Sequence, residues 1–375
     1  MMRFLKNTQI YLFLTVLLFS CGGAKEHFSP LDGEIVPMRY SSLLSIVECE
    51  GYTAVDISDP WGGRIMQRYL LVPSAAELPE NLPSGVLLRT PLDDVILFSG
   101  VHAGLLEEFG VSGAVKGICD AGYFYCEAIS DRLAAGSVVD CGSSLNVDAE
   151  AVMQVSPDAI FVLPYENGGF GKLENMGFPL VLCADYMEGS PLACAEWMRF
   201  YGRLFGLGVK SDSLFSVVCN EYETLSGVAR AVRHRPKLMC ELKSSSAWYV
   251  PSGESTMGRM YADAGADYLF SDCKGSGSVP LSYEVVLDKA ADADVWLFKY
   301  NSVSDKGYAS LMSDFAGYSY FKPFKQRNVY ACNTRYRHLF EETAFHPERL
   351  LKELVAVFHP GLLNDYSLQY YEKMR

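Results

Sequence analysis

From Pro191 to about Val232 the chain shows no strand-like run, and apolar residues recur at helical spacing. Trp197, Tyr201, Leu204 and Phe205 form one set, and Leu214, Val217, Val218, Tyr222 and Leu225 form the next. Gly206-Leu207-Gly208 marks a break or kink, and the basic run Arg230–Arg235 leads to a stop at Pro236. The stretch therefore reads as one long helix or two in tandem. A single rigid connector of this kind lets what lies on either side face each other as two lobes.

Both flanks carry the same alternating pattern. Before the connector, 101–109 reads as a helix ending at Gly110, and 114–119 reads as a strand. A helix over 148–155 passes through Pro157-Asp158 into a strand over 159–163; a short helix capped by Gly177 then precedes a strand over 179–183. After the connector, strands are predicted at 237–242, 247–250, 294–298 and 328–332. Helices are predicted at 256–264, 283–290 and 347–358, the last with an apolar stripe at Leu350, Leu351, Leu354 and Val357. Strands alternating with helices imply parallel or mixed sheets. The expected fold is α/β, with two lobes (34–190 and 236–375) joined by a long rigid helix (191–235) and a ligand cleft between them. Residues 34–84 add short strands at 54–57 and 69–72, to which the sequence attaches no role.

The N-terminus reads as an export signal. Arg3 and Lys6 precede the apolar run Ile10–Phe19 and the small-residue site Ser20-Cys21-Gly22-Gly23. The run is too short for a comfortable membrane span. Leu18-Phe19-Ser20-Cys21 resembles the bacterial lipobox, which implies cleavage after residue 20, lipidation of Cys21 and a tether over 21–33. Without its first 20 residues the chain has 355 residues and a formal charge of −15, which argues against nucleic acid as a partner. The ten remaining cysteines are scattered, show no CxxC pair and often sit in apolar runs, so they read as buried free thiols.

Several phrases, taken in order, resemble the helical-backbone class of periplasmic substrate-binding proteins, in versions from Bacteroides-type bacteria. They are Asp148-Ala149-Glu150 through Ser156-Pro157-Asp158-Ala159-Ile160, then Trp248-Tyr249-Val250-Pro251-Ser252-Gly253 and Asp263-Ala264-Gly265-Ala266. Leu281-Ser282-Tyr283-Glu284 through Ala293-Asp294-Val295-Trp296 and the closing Arg349–Leu354 complete the set. The resemblance implies a binding protein of an ABC importer for iron–siderophore complexes, haem or cobalamin. It is expected to be a monomer in the periplasm, lipid-anchored with the inner membrane favoured, and partnered by a permease and its ATPase. It also implies that Glu150 and Glu284, one per lobe, dock onto permease arginines.

For the ligand, the residues expected in the cleft are Tyr123, Tyr125 and Tyr165 on the first lobe. On the second they are Trp248, Arg259, Tyr300, Arg335 and Arg337, the two arginines being suited to carboxylates or catecholates. Phe124, Phe170, Tyr249, Tyr336 and His338 are secondary candidates. Ser144 and Ser278 stand where a cobalamin-binding member has tryptophans, which counts against cobalamin itself and keeps a receptor for other corrinoids as an alternative. A free-metal receptor for zinc or manganese is an alternative, with His102, Glu166, His338 and an aspartate as its conceivable ligands. No cofactor is expected. An exported hydrolase is disfavoured, because there is no GxSxG, no HExxH and no phosphate loop.

Overall fold

Short apolar runs buried on both faces assemble into two parallel sheets, one on each side of the connector. A computed structural model describes residues 28–375; Cys21 and the signal segment lie outside the described residues. The first sheet has the order Leu180–Leu182, Ala159–Val162, Val95–Leu97, Val115–Ile118, Val139–Asp140, all parallel. Val95, Ile96, Leu97 and Ala159–Val162 are sealed from solvent, as befits central parallel strands covered on both faces. The second sheet has the order Asp267–Tyr268, Lys237–Cys240, Val295–Tyr300, Val329–Asn333, with Glu372–Lys373 added antiparallel at its edge. The strand Val95–Leu97 escaped the sequence reading, being only three residues long.

Crossover helices fall where the periodicity placed them, at Gly100–Phe109, Ala149–Val155, Thr256–Asp263, Tyr283–Ala290 and Pro347–Phe358. Their ends have local causes. Asp148, Ser255 and Ser282 accept backbone N–H groups of the first turn. Gly110 closes its helix at φ 78°, a left-handed value that glycine adopts without strain.

The two lobes share a latch. Asp158 Oδ2 accepts the backbone N–H groups of Asp93 and Asp94 (2.8 and 3.0 Å), and its own N–H donates to Asp94 O (2.8 Å). In the second lobe, Asp294 Oδ2 accepts the N–H of Lys237 (2.9 Å), and its own N–H donates to Lys237 O (2.8 Å). The Pro-Asp and Ala-Asp phrases of the sequence thus do the same work, tying a strand's start to its neighbour.

The tandem form of the connector is the one realised, with an extra break. Pro191–Glu196 and Met198–Leu204 are short helices, and only Gly208–Arg230 is continuous, about 34 Å long at 1.5 Å per residue. Gly206, at φ 69°, makes the turn between them. A Cβ on Gly202 would stand 2.3 Å from Ser211 Oγ, so the flanking helices meet in direct contact. Phe200 stacks on Tyr69 and Tyr201 lies beside Phe161, which places residues 198–204 in the first lobe's core. The long helix packs on Thr256–Asp263 and Pro347–Phe358 of the second lobe.

Residues 34–90 form a separate five-stranded sheet, antiparallel except where Ile65–Pro73 pairs parallel with Val86–Thr90. Two buried carboxylates fasten it. Glu196 accepts the N–H groups of Arg39, Tyr40 and Ser41 (2.9, 2.8 and 2.9 Å). Glu188 accepts from Ser42 and Leu43 N–H (both 3.1 Å) and from Trp197 Nε1 (2.9 Å). The ten cysteines among the described residues are free thiols, seven of them buried.

Candidate functional site: a cleft between the lobes

Residues that follow the C-terminal ends of strands converge from both sheets. Ser99, Leu163 and Asp185 come from the first lobe, and Lys299 comes from the end of Val295–Tyr300 in the second. In open α/β sheets this is where ligands bind. Here the ends enclose a cavity of about 620 Å³, inside the range of small-molecule pockets. Its walls are mainly aliphatic: Val101 and Leu163 on one side, and Met257, Met260, Leu339, Ala344 and Leu350 on the other, with Phe340 at the rim. A second hollow of about 400 Å³, lined by Phe98, Leu145, Phe170 and Leu173, lies in the first lobe and shares Leu163 and Tyr165 with the cleft.

Polar groups stand at both ends of the cavity. On the first lobe, His102 Nε2 meets Asp185 Oδ1 at 3.3 Å, and Tyr201 Oη donates to the same oxygen at 2.6 Å. Burial alone would lower the imidazole pKa; the Cys183 sulphur and Asp185 carboxylate beside it outweigh burial and hold it above its ordinary value. On the second lobe, Lys299 pairs with Glu241, and Tyr371 Oη is buried without a hydrogen-bond partner. Burial would lower the Lys299 pKa too, but Glu241 keeps it well above the usual lysine value.

The lobes also touch beside the cavity. The helix Leu339–Thr343 lies against Gly100–Phe109 so closely that a Cβ on Gly104 would stand 2.6 Å from Glu341 O. Asn301 Nδ2 donates to Tyr125 Oη at 2.9 Å across the interface. His346 reaches Glu108 on the opposite lobe.

Of the expected ligand residues, Tyr165 lines the cavity, half-exposed, and Tyr125 forms the bridge to Asn301. The others lie elsewhere. Trp248 is fully buried, its Nε1 donating to Cys240 O (2.9 Å) and its ring packed against Trp296, Tyr318 and Phe321, so it is core. Arg259 lines a hollow beside the long helix with Tyr222 and Arg230. Tyr300 turns to Asp305 and Lys306. Tyr123 and Arg335 are exposed outside the cavity, and Arg337 pairs with Glu372. His338 faces an acidic hollow with Glu107 and Glu341, away from His102, and Glu166 lies exposed on its loop. Glu150 and Glu284 occupy matching positions, second in their helices and exposed, and interaction with the first-turn backbone and Ser282 lowers the Glu284 pKa.

The residues that sequence reasoning missed are the aliphatic lining and the Asp185, Lys299 and Tyr371 groups. The position of Asp185 just past a strand end was the one available signal.

The sequence profile of the periplasmic binding protein family matches residues 112–336, more than half of the chain. The chain belongs to that family. A lipoprotein of Methanocaldococcus jannaschii, itself uncharacterised, is 26% identical over 298 residues, covering 76% of this chain and 70% of its own length. Among solved structures, an ABC-type Fe3+-hydroxamate transport protein from Saccharomonospora viridis superposes with a TM-score of 0.57 at 15% identity, covering 74% of this chain and 96% of its own. A periplasmic heme-binding protein from Pseudomonas aeruginosa gives a TM-score of 0.56 at 15% identity, covering 72% and 94%. At such identity the structural likeness establishes a shared two-lobed fold. The family and these solved relatives are binding proteins rather than enzymes. Among the described residues, no helix is long and apolar enough to cross a membrane.

Proposed function

We propose that this protein is the substrate-binding lipoprotein of an ABC importer, and that it captures an iron chelate of siderophore or haem type. The observation that carries the reading is the apolar cavity of about 620 Å³ enclosed by both lobes at their strand ends. A chelate hides its metal behind an organic shell, so aliphatic walls can bury that shell while a few polar groups orient it. The hydroxamate-iron and haem proteins among its structural relatives support this class of ligand.

Cargo passes to a membrane permease driven by its ATPase. Glu150 and Glu284 dock there, because one exposed carboxylate per lobe suits arginine partners on a two-fold-related permease. The chain acts as a monomer tethered through Cys21 on the periplasmic side of the inner membrane. Tethering raises its effective concentration at the permease.

The test uses the full chain in detergent, with tyrosine and tryptophan fluorescence followed during titration with haemin, a ferric hydroxamate, cobalamin and free Zn2+. Saturable quenching by an iron chelate is expected. Quenching by cobalamin alone would replace the iron reading with a corrinoid one, and no response to any chelate would overturn it.

A further inference from the structure

Behind the first-lobe wall of the cavity, three groups with complementary ligand chemistry meet. One donor atom each from His102, Cys183 and Asp185 lie within 4.8 Å of one another. All three residues are buried, with Cys183 at 0% exposure, His102 at 3% and Asp185 at 5%. They come from three elements of a single lobe: the helix Gly100–Phe109, the end of the strand Leu180–Leu182, and the turn Asp185–Met187. Rigid elements of this kind hold donors in place before any ligand arrives. Tyr201 Oη, bonded to Asp185, stands beside them.

The ring is oriented toward the cluster through one nitrogen. His102 Nε2 stands 3.3 Å from Asp185 Oδ1 and is the nitrogen placed to share an ion with that carboxylate. Nδ1, on the other side of the ring, is sealed from solvent and has no hydrogen-bond partner, so it can keep the ring's proton while Nε2 ligates.

We infer that His102, Cys183 and Asp185 form a binding site for a borderline divalent transition ion of the Zn2+ or Co2+ type. Thiolate, imidazole and carboxylate together match such an ion and not Ca2+ or Mg2+, which take oxygen ligands. Bonds of about 2.0–2.3 Å put donors on one tetrahedral ion roughly 3.5 Å apart, so no donor pair needs to close by more than about 1.3 Å. Binding expels the Cys183 thiol proton, and any second proton on the imidazole, to solvent. His102 and Asp185 also line the cleft, so the ion's fourth position opens onto the cavity. The inference does not rest on the chelate reading, because all three donors belong to one lobe.

The experiment titrates the full chain, in detergent and reductant and previously stripped with a chelator, with Co2+ while the near-ultraviolet and visible spectra are recorded. One equivalent is expected to produce a sulphur-to-cobalt charge-transfer band together with tetrahedral d–d bands, both abolished by excess Zn2+. Cys183→Ala is expected to remove the charge-transfer band, and Asp185→Asn to weaken Co2+ binding more than about tenfold, with circular dichroism confirming folded protein. Absence of saturable binding by the unaltered chain overturns the inference, as does a charge-transfer band that survives Cys183→Ala. If Cys183→Ala fails to fold, Asp185→Asn decides, and undiminished affinity there also overturns the site. Loss of this site with chelates still quenching fluorescence leaves the transport reading intact; the reverse pattern removes that reading and keeps the site.

Discussion

Glu108 on the first lobe and His346 on the second form a hydrogen-bonded pair across the interface, and Glu348 holds the other ring nitrogen of His346 at 2.8 Å. The clasp sits at the flank of the cavity, where the two helices meet. Burial would lower the His346 pKa, but the hydrogen bonds to Glu108 and Glu348 outweigh it and raise it above 6.5. Burial would raise Glu108, and His346 and Arg349 overcome that to hold it below 4.5.

These directions fix the pH dependence. A raised histidine stabilises fully below its unfolded value and loses that contribution as pH rises through the folded one. A lowered glutamate stabilises above its unfolded value and loses that contribution as pH falls. The clasp is therefore complete between pH 4.5 and 6.5 and weakens on the alkaline side. Glu108→Gln is expected to cost on the order of 1 kcal/mol in that window, after screening at its partly exposed edge. Urea midpoints measured against pH check this. A difference from the unaltered chain that fails to shrink above the window would contradict it.

Glu196 offers a sharper stability test. Its buried carboxylate accepts three backbone N–H groups and meets Arg199 at 3.3 Å. Glu196→Ala would strand the three backbone donors, while Arg199 keeps Pro37 O and Asp212 (both 2.8 Å), and is expected to destabilise by about 3–5 kcal/mol. Glu196→Gln keeps one acceptor oxygen and should lose less. Equal losses in chemical denaturation would show that the carboxylate does not fasten the 34–90 sheet in the way described.

Filling the cavity separates binding from folding. Ala344 lines the cleft, so Ala344→Trp places its ring in space the ligand needs. Chelate affinity should fall more than about tenfold, the equivalent of 1.4 kcal/mol, with little change in thermal midpoint. Undiminished affinity in the folded variant would move the ligand site elsewhere.

Glu150 and Glu284, proposed above as docking carboxylates, make the opposite prediction. Glu150→Ala combined with Glu284→Ala should leave chelate affinity unchanged, since both groups are exposed and lie outside the cavity lining. Uptake through the cognate permease in proteoliposomes should fall at least tenfold, as expected when two charge-assisted contacts are lost. Normal uptake by the double variant would remove both residues from that role.

The sequence was informative about elements and weaker about the cleft. Tyr283–Ala290 and Pro347–Phe358 are bounded where periodicity and Pro347 put them. Trp248 shows why the cleft was harder to read. On a strand, alternate side chains face opposite sides, and Trp248 points into the core while its neighbour Tyr249 is half-exposed. The chemistry of Arg335 and Arg337 suits an anionic ligand, but the strand Glu372–Lys373, too short to detect in sequence, supplies Glu372 as a partner for Arg337. Met257, Met260 and Leu339 look like any core residue in sequence; only the meeting of two lobes turns them into a wall. The sequence offers His102 as a conceivable ligand with Glu166, His338 and an aspartate; folding brings Asp185 to it, and Cys183 in place of Glu166 and His338.

The twin latches at Asp158 and Asp294 let each half be loosened at an equivalent place. Asp158 ties two amides, and Asp294 ties one amide while also holding the Lys322 ammonium at 2.6 Å. If the halves come apart independently, Asp158→Ala and Asp294→Ala each advance a different unfolding step; if they unfold as one body, both shift the same single transition.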